Sequence, residues 1–86
     1  MRAFVFSGGE ILADKIEALE FTVRENFAKQ GVPLKKLSLK KNVLLGGIVR
    51  NGEFILPGGD TAMYAGDRVI VVTASKQITD LTQILR

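Results

Sequence analysis

Residues 43–74, reading VLLGGIVRNGEFILPGGDTAMYAGDRVIVVTA, constrain the fold of this chain most, because strand-forming runs and the turn chemistry between them are both present. Asn51-Gly52 separates two apolar runs and is the favoured two-residue hairpin signal, since a type I′ turn needs positive φ at both central positions. The run VLLGGIVR should therefore fold back onto EFIL. Pro57-Gly58-Gly59-Asp60 should end that second strand, proline by lacking an N–H for the ladder and the glycines by permitting left-handed turns. A further turn at Ala65-Gly66-Asp67 precedes Arg68-Val69-Ile70-Val71-Val72-Thr73, a β-branched run without polar alternation that reads as a strand buried on both faces. Gly46-Gly47 inside the first strand weakens it by roughly 1 kcal/mol per glycine and marks a bulge or a close approach of another backbone or ligand. A strand across a dimer interface is the neighbour expected there.

Upstream, Arg2 to Phe6 can form a short strand that Ser7-Gly8-Gly9 breaks. From about Lys15, Ile16, Ala18 or Leu19, Phe21 and Val23 follow a two-residue period and predict a half-buried strand, although residues 10–19 can also be drawn as a helix. Residues 24–31 read as a loop or a single helical turn closed by Gly31. Pro33 suits the first turn of a short helix in which Leu34 and Leu37 share the buried face. At the end of the chain Ser75 is a good N-cap, and Ile78, Leu81 and Ile84 or Leu85 predict a helix from about Lys76 to Leu85. The expected fold class is α+β, a small mostly antiparallel sheet with a short helix before the core hairpin and a C-terminal helix.

At 86 residues and 47% hydrophobic content the chain is one domain with one small core. No apolar run approaches the ~18 to 20 residues of a membrane span. The absence of cysteine excludes a disulfide framework and a thiolate zinc site. Histidine is absent too, so the usual nucleophile and base pairings are unavailable. Ser75 beside Lys76 is explained by helix capping, and the chain is expected not to be an enzyme. Asp60 and Asp67 each follow a glycine at a turn, where Asp ordinarily bonds nearby backbone N–H groups, and they stand in separate turns, so no metal site is expected. Much of the +3 net charge comes from Lys35, Lys36, Lys40 and Lys41, a solvated face or a patch for an anionic partner. Aromatic residues are not interleaved with these lysines, and no nucleic-acid partner is expected, a small basic nucleic-acid-binding module being the alternative that the charge alone favours.

The string I-V-R-N-G-E-F-I-L-P-G-G-D, followed after a spacer by A-G-D-R-V-I-V-V, resembles the C-terminal ligand-binding domain of TrkA-type potassium-transport regulators, the TrkA-C or RCK-C family. Its most specific element is P-x-G-D paired with G-D-x-V-x-V. A-D-K-I-E at residues 13–17 resembles the opening of the family's first strand, and PLKKLSL its short helix. The resemblance covers residues 13–86, leaving residues 1–12 as a connector or short strand from an upstream domain. Met1 directly before the strand-like RAFVF suggests a fragment of a longer protein.

The resemblance implies a cytoplasmic, peripheral-membrane regulatory domain that dimerises and couples effector binding to gating of a membrane potassium-translocating subunit. It implies NAD or ATP only on an upstream Rossmann domain; G-x-G-x-x-G is not found here, so no cofactor is expected on these residues. In some relatives the cleft between two copies binds cyclic di-AMP through basic and amide side chains near the helix-to-strand connection, with apolar residues and a proline. The corresponding expectation is a dimer-cleft site of Lys40, Lys41, Asn42, Leu44, Arg50 and Pro57. Leu44 stands where that pattern has an amide, and histidine is missing, so the expected effector is a small anionic or phosphate-bearing molecule. A cyclic-dinucleotide sensor on another cation transporter or antiporter is the alternative within the same class.

Overall fold

The structure, a computed structural model, describes residues 2–7, 15–74 and 78–86, with residues 2–7 and 15 described by their backbone. Five strands, β1 (Arg2–Ser7), β2 (Lys15–Thr22), β3 (Val43–Arg50), β4 (Glu53–Ile55) and β5 (Arg68–Thr73), form one sheet in the order β1-β2-β5-β3-β4. Every pairing is antiparallel.

The punctuation of the sequence produces this register. Asn51 and Gly52 take φ of 52° and 79°, the I′ pattern, and Arg50 pairs with Glu53 across the turn. The β3–β5 register slips between Leu45 and Gly47, so Gly46 is the extra residue of a bulge. The close approach expected at the glycine pair comes from the chain's own hairpin: a Cβ on Gly47 would overlap the Phe54 ring. No second copy is needed to explain that glycine. β2 begins at Lys15 as a strand, which removes the helical alternative for residues 15–19; residues 10–14 lie outside the described residues.

One face of the sheet carries the core. Leu19 and Phe21 of β2, Val69 and Val71 of β5, and Leu45 and Ile48 of β3 are buried together with Val23, Phe27, Met63, Ile78, Leu81 and Ile84 from the connections. β5 is therefore buried on one face, Val69, Val71 and Thr73, while Ile70 and Val72 on the other are partly exposed. The expectation of burial on both faces fails because the covering segments lie on a single side.

Helix is scarcer than the sequence predicts, and no α-helix occurs among the described residues. The short helix after Pro33 is a single 3-10 turn, Leu34–Lys36, which still packs Leu34 and Leu37 against the core. The expected C-terminal helix is another 3-10 turn, Leu81–Ile84. Ile78, Leu81 and Ile84 repeat every three residues, and in 3-10 geometry side chains at that spacing stack on one face. Gln83 Oε1 accepts from Thr79 N at 2.7 Å and Asp80 Oδ1 from Thr82 N at 3.3 Å, closing the start of this turn. Its end is drawn into β structure, with Lys40 N donating to Ile84 O and Arg86 N to Ser38 O around a Leu39–Leu85 bridge. Ser75 and Lys76, expected as cap and first residue, lie outside the described residues.

A buried ion pair closes the hairpin end of the sheet. Arg50 Nε and Nη2 donate to Asp67 Oδ1 and Oδ2 at 2.9 and 2.7 Å, Arg50 Nη2 also donates to Ala62 O, and Tyr64 N donates to Asp67 Oδ2 at 2.9 Å. Asp67 is 2% exposed, and the Arg50 guanidinium lies over the Tyr64 ring at 5.0 Å. The hydrogen bonds from Arg50 hold the Asp67 carboxyl below its ordinary range against the opposing effect of burial, helped by Tyr64 N–H and the Arg50 charge. The same bonds raise Arg50.

A folded-state pKa held below the unfolded one stabilises fully above the unfolded value, about 3.9 for Asp, and that contribution is lost as pH falls through the folded value. Arg50→Met should cost roughly 2–4 kcal/mol at neutral pH by leaving Asp67 buried without its cation. In urea titrations at several pH values its deficit against the parent should shrink as acid protonates Asp67, and a constant deficit would contradict the pair's role. Gly52→Ala should cost about 1–2 kcal/mol, because nothing lies within 4 Å of the added methyl and only its φ of 79° opposes it. Gly58→Ala, which meets only Thr61 Oγ1 at 3.9 Å, should be near neutral in the same assay.

Candidate functional site

The lysine-bearing connection enters β3 through an abrupt change of direction. Asn42 takes a left-handed φ of 64°, which Asn tolerates better than most residues, and its carbonyl accepts from Ala74 N at 3.2 Å. Lys40 and Lys41 immediately before it are exposed, as is Asn42 itself. Lys35 Nζ is paired with Asp60 Oδ1 at 2.7 Å, an exposed contact that sequesters one cation of the cluster. Asp60 thus holds a lysine side chain where a bond to nearby backbone was expected, while Asp67 does accept the backbone N–H of Tyr64. Among the described residues no carboxylate pairs with Lys36, Lys40 or Lys41.

Leu44 follows in β3 on the face away from the core, 64% exposed. Leu56, 78% exposed, and half-buried Pro57 leave the end of β4. Because Ile55 pairs with Ile48 and β4 runs antiparallel to β3, the chain departs at Leu56 toward the Gly47 end of the strand. Lys40, Lys41, Asn42, Leu44 and Pro57 therefore border the first half of β3.

Arg50 does not join them. It stands at the far end of the eight-residue strand, some 25 Å along it from Asn42 at about 3.3 Å per residue. Its guanidinium is held by Asp67 and Ala62. The sequence places Arg50 with the cleft residues and gives no sign of this pair with Asp67. The signal was present in the ladder: Val49 pairs with Arg68, so the next residues outward, Arg50 and Asp67, face each other.

Two concavities among the described residues lie elsewhere. A polar groove of about 430 Å³ runs between Arg24, Asn26 and Phe27 on one side and Thr79, Asp80 and Thr82 on the other. A shallower one of about 240 Å³ is bordered by Arg50, Asn51, Tyr64 and Asp67. Neither includes Lys40, Lys41, Asn42, Leu44 or Pro57. Within one chain Lys40, Lys41, Asn42 and Leu44 are exposed and Pro57 is half-buried. No helix among the described residues is long and apolar enough to cross a membrane, and no cluster of three or more potential metal ligands occurs among them.

Comparison with known proteins agrees with this architecture. The sequence matches the TrkA-C domain over residues 18–86. It is 38% identical over 79 residues to a Trk system potassium uptake protein TrkA homolog of Archaeoglobus fulgidus, covering 92% of this chain and 17% of that protein. It is 32% identical over 87 residues to the putative Na(+)/H(+) antiporter YjbQ of Bacillus subtilis, covering 99% of this chain and 14% of the antiporter. The chain thus spans less than a fifth of the length of these curated relatives. A solved structure described as an RCK domain with cda superposes with a TM-score of 0.64 at 31% identity, covering 80% of this chain and 97% of that one. Strand order, turn chemistry and these matches agree: the chain belongs to the TrkA-C (RCK-C) domain family, homologous to TrkA potassium uptake proteins.

Proposed function

We propose that this chain is the regulatory, ligand-binding domain of a TrkA-type potassium transport protein, acting at the cytoplasmic face of the membrane on a potassium-translocating subunit. The observation that carries the reading is the near-complete coverage of this chain by a small part of a TrkA homolog, the relation of a module to a larger protein. In this reading two copies pair, and an anionic effector lodges in the cleft between them against Lys40, Lys41, Asn42, Leu44 and Pro57. Lysines without carboxylate partners supply point charges for phosphate or carboxylate oxygens, and exposed Leu44 supplies apolar contact. Arg50 serves the fold and leaves the effector to the lysines.

Gating follows from differential affinity. An effector that binds one relative orientation of the two copies more tightly shifts the population toward it by the difference in binding free energy, and equal affinity shifts nothing. The domain itself performs no chemistry in this scheme.

A second reading is favoured by two observations, the antiporter relative and the RCK domain solved with cda. In that reading the same cleft senses a cyclic dinucleotide on behalf of another cation transporter. Calorimetric titration of the chain with cyclic di-AMP separates the two, submicromolar binding selecting the second and silence at high ligand concentration selecting the first. Under the second reading, Lys40→Glu with Lys41→Glu should weaken that binding on the order of tenfold or more, with a reduced dependence on salt. Binding unchanged by the double substitution would remove the cleft from the account.

A further inference from the structure

We infer that Asn51 is a site of spontaneous covalent modification, its side-chain amide being lost through a cyclic imide formed with the backbone nitrogen of Gly52. The inference is independent of the pairing proposed above, since this turn lies beyond the far end of β3 from Lys40, Lys41 and Asn42.

Asn-Gly fits the hairpin because both residues accept positive φ. The same pair brings an asparagine carboxamide next to a peptide nitrogen whose residue has no side chain to obstruct ring closure. Nothing lies within 4 Å of the position a Cβ would take on Gly52, and both residues are exposed to water. Among the described residues no hydrogen bond engages the Asn51 carboxamide or the Gly52 N–H. The turn is also lightly held: β4 makes three pairs with β3, and Glu53 and Phe54 are exposed, so the tip can open locally and release Asn51 from its turn geometry. The other asparagines lack these conditions. Asn26 precedes Phe27, whose ring is in the core and whose N–H donates to Arg24 O, and Asn42 precedes β-branched Val43, which packs against the core.

The reaction needs only water and hydroxide. Hydroxide takes the proton of the Gly52 nitrogen, the nitrogen attacks Asn51 Cγ, and the Cγ–Nδ2 bond breaks as ammonia leaves with a proton returned from water. Water then opens the imide at either carbonyl, with no oxidation or reduction. Breaking the new N–Cγ bond leaves aspartate in an unchanged chain; breaking the original peptide bond leaves isoaspartate, with the main chain running through the side chain.

The two products differ in consequence. Aspartate tolerates the left-handed turn and adds an anion to the rim of the concavity bordered by Arg50, Tyr64 and Asp67. Isoaspartate puts an extra carbon into a two-residue loop, so Arg50 can no longer lie opposite Glu53 and β4 loses its register. The Phe54 ring seated against Gly47 leaves with it, while β5 stays between β2 and β3.

The test is storage of the folded 86-residue chain at neutral and mildly alkaline pH, then digestion with pepsin in acid, where ring closure stops, and mass spectrometry of the fragments. The fragment holding residue 51 should exchange the mass of NH2 for that of OH on the order of tenfold or more faster than those holding Asn26 and Asn42, and faster still as pH rises. Asn51→Gly keeps a turn that accepts positive φ and should abolish the change. An Asn51 amide that lasts as long as the other two, or a mass change that persists in Asn51→Gly, overturns the site. In the isoaspartyl fraction, separated on ion exchange by its added negative charge, amides of β4 should lose hydrogen-exchange protection with β5 unaffected. Protection of β4 equal to that of the parent overturns its release.

Discussion

The fold depends on β5 lying between β2 and β3. Val69 and Val71 have no accessible surface, and through them the inward residues of three adjacent strands form one layer. The partners come from distant parts of the chain, β2 from the N-terminal side and β3 from the middle, so this strand converts a series of local hairpins into a domain. The long connections then have one apolar face to cover. Phe27 from the turn after β2, Met63 from the link before β5, and Ile78, Leu81 and Ile84 from the end of the chain meet on it. The opposite face stays open because no segment remains to lie across it among the described residues.

Much of this was legible in the residues, and where it was not the reason is physical. Asn51-Gly52 acts through left-handed backbone that few other residues tolerate, so the hairpin could be placed locally, whereas Gly46, Gly58 and Gly59 take no left-handed φ and mark the bulge and the strand end without the left-handed turns expected of Gly58-Gly59. Burial of β5 could not. A run of β-branched residues looks the same whether one face or two are covered, and the covering depends on segments remote in sequence. The last segment failed for a related reason: a three-residue apolar spacing fits a 3.6-residue helix roughly and a 3-10 turn better, and the bonds to Ser38 and Lys40 that decide between them are tertiary.

The candidate site was legible in composition and not in geometry. Lysines in a short connection, an asparagine at the strand start and a proline after the hairpin could be read directly, and they do border one half of β3. Arg50 is basic and close to them in sequence, yet an extended strand of eight residues puts it at the far end of β3 from the lysines. Its true partner was recognisable only once β3 and β5 were set in register, after which a cation and a buried carboxylate faced one another with no other assignment possible.

The way the ionisable groups are arranged has a bearing on any signalling role. The chain has no histidine and no cysteine, the side chains whose charge most readily changes near neutrality. The buried Arg50–Asp67 pair moves each member away from that range, the acid downward and the base upward. The Arg50–Asp67 bond therefore keeps both its charges through modest acidification or alkalinisation. A hairpin end latched in this way holds one shape on either side of neutrality, where a latch built on histidine would loosen.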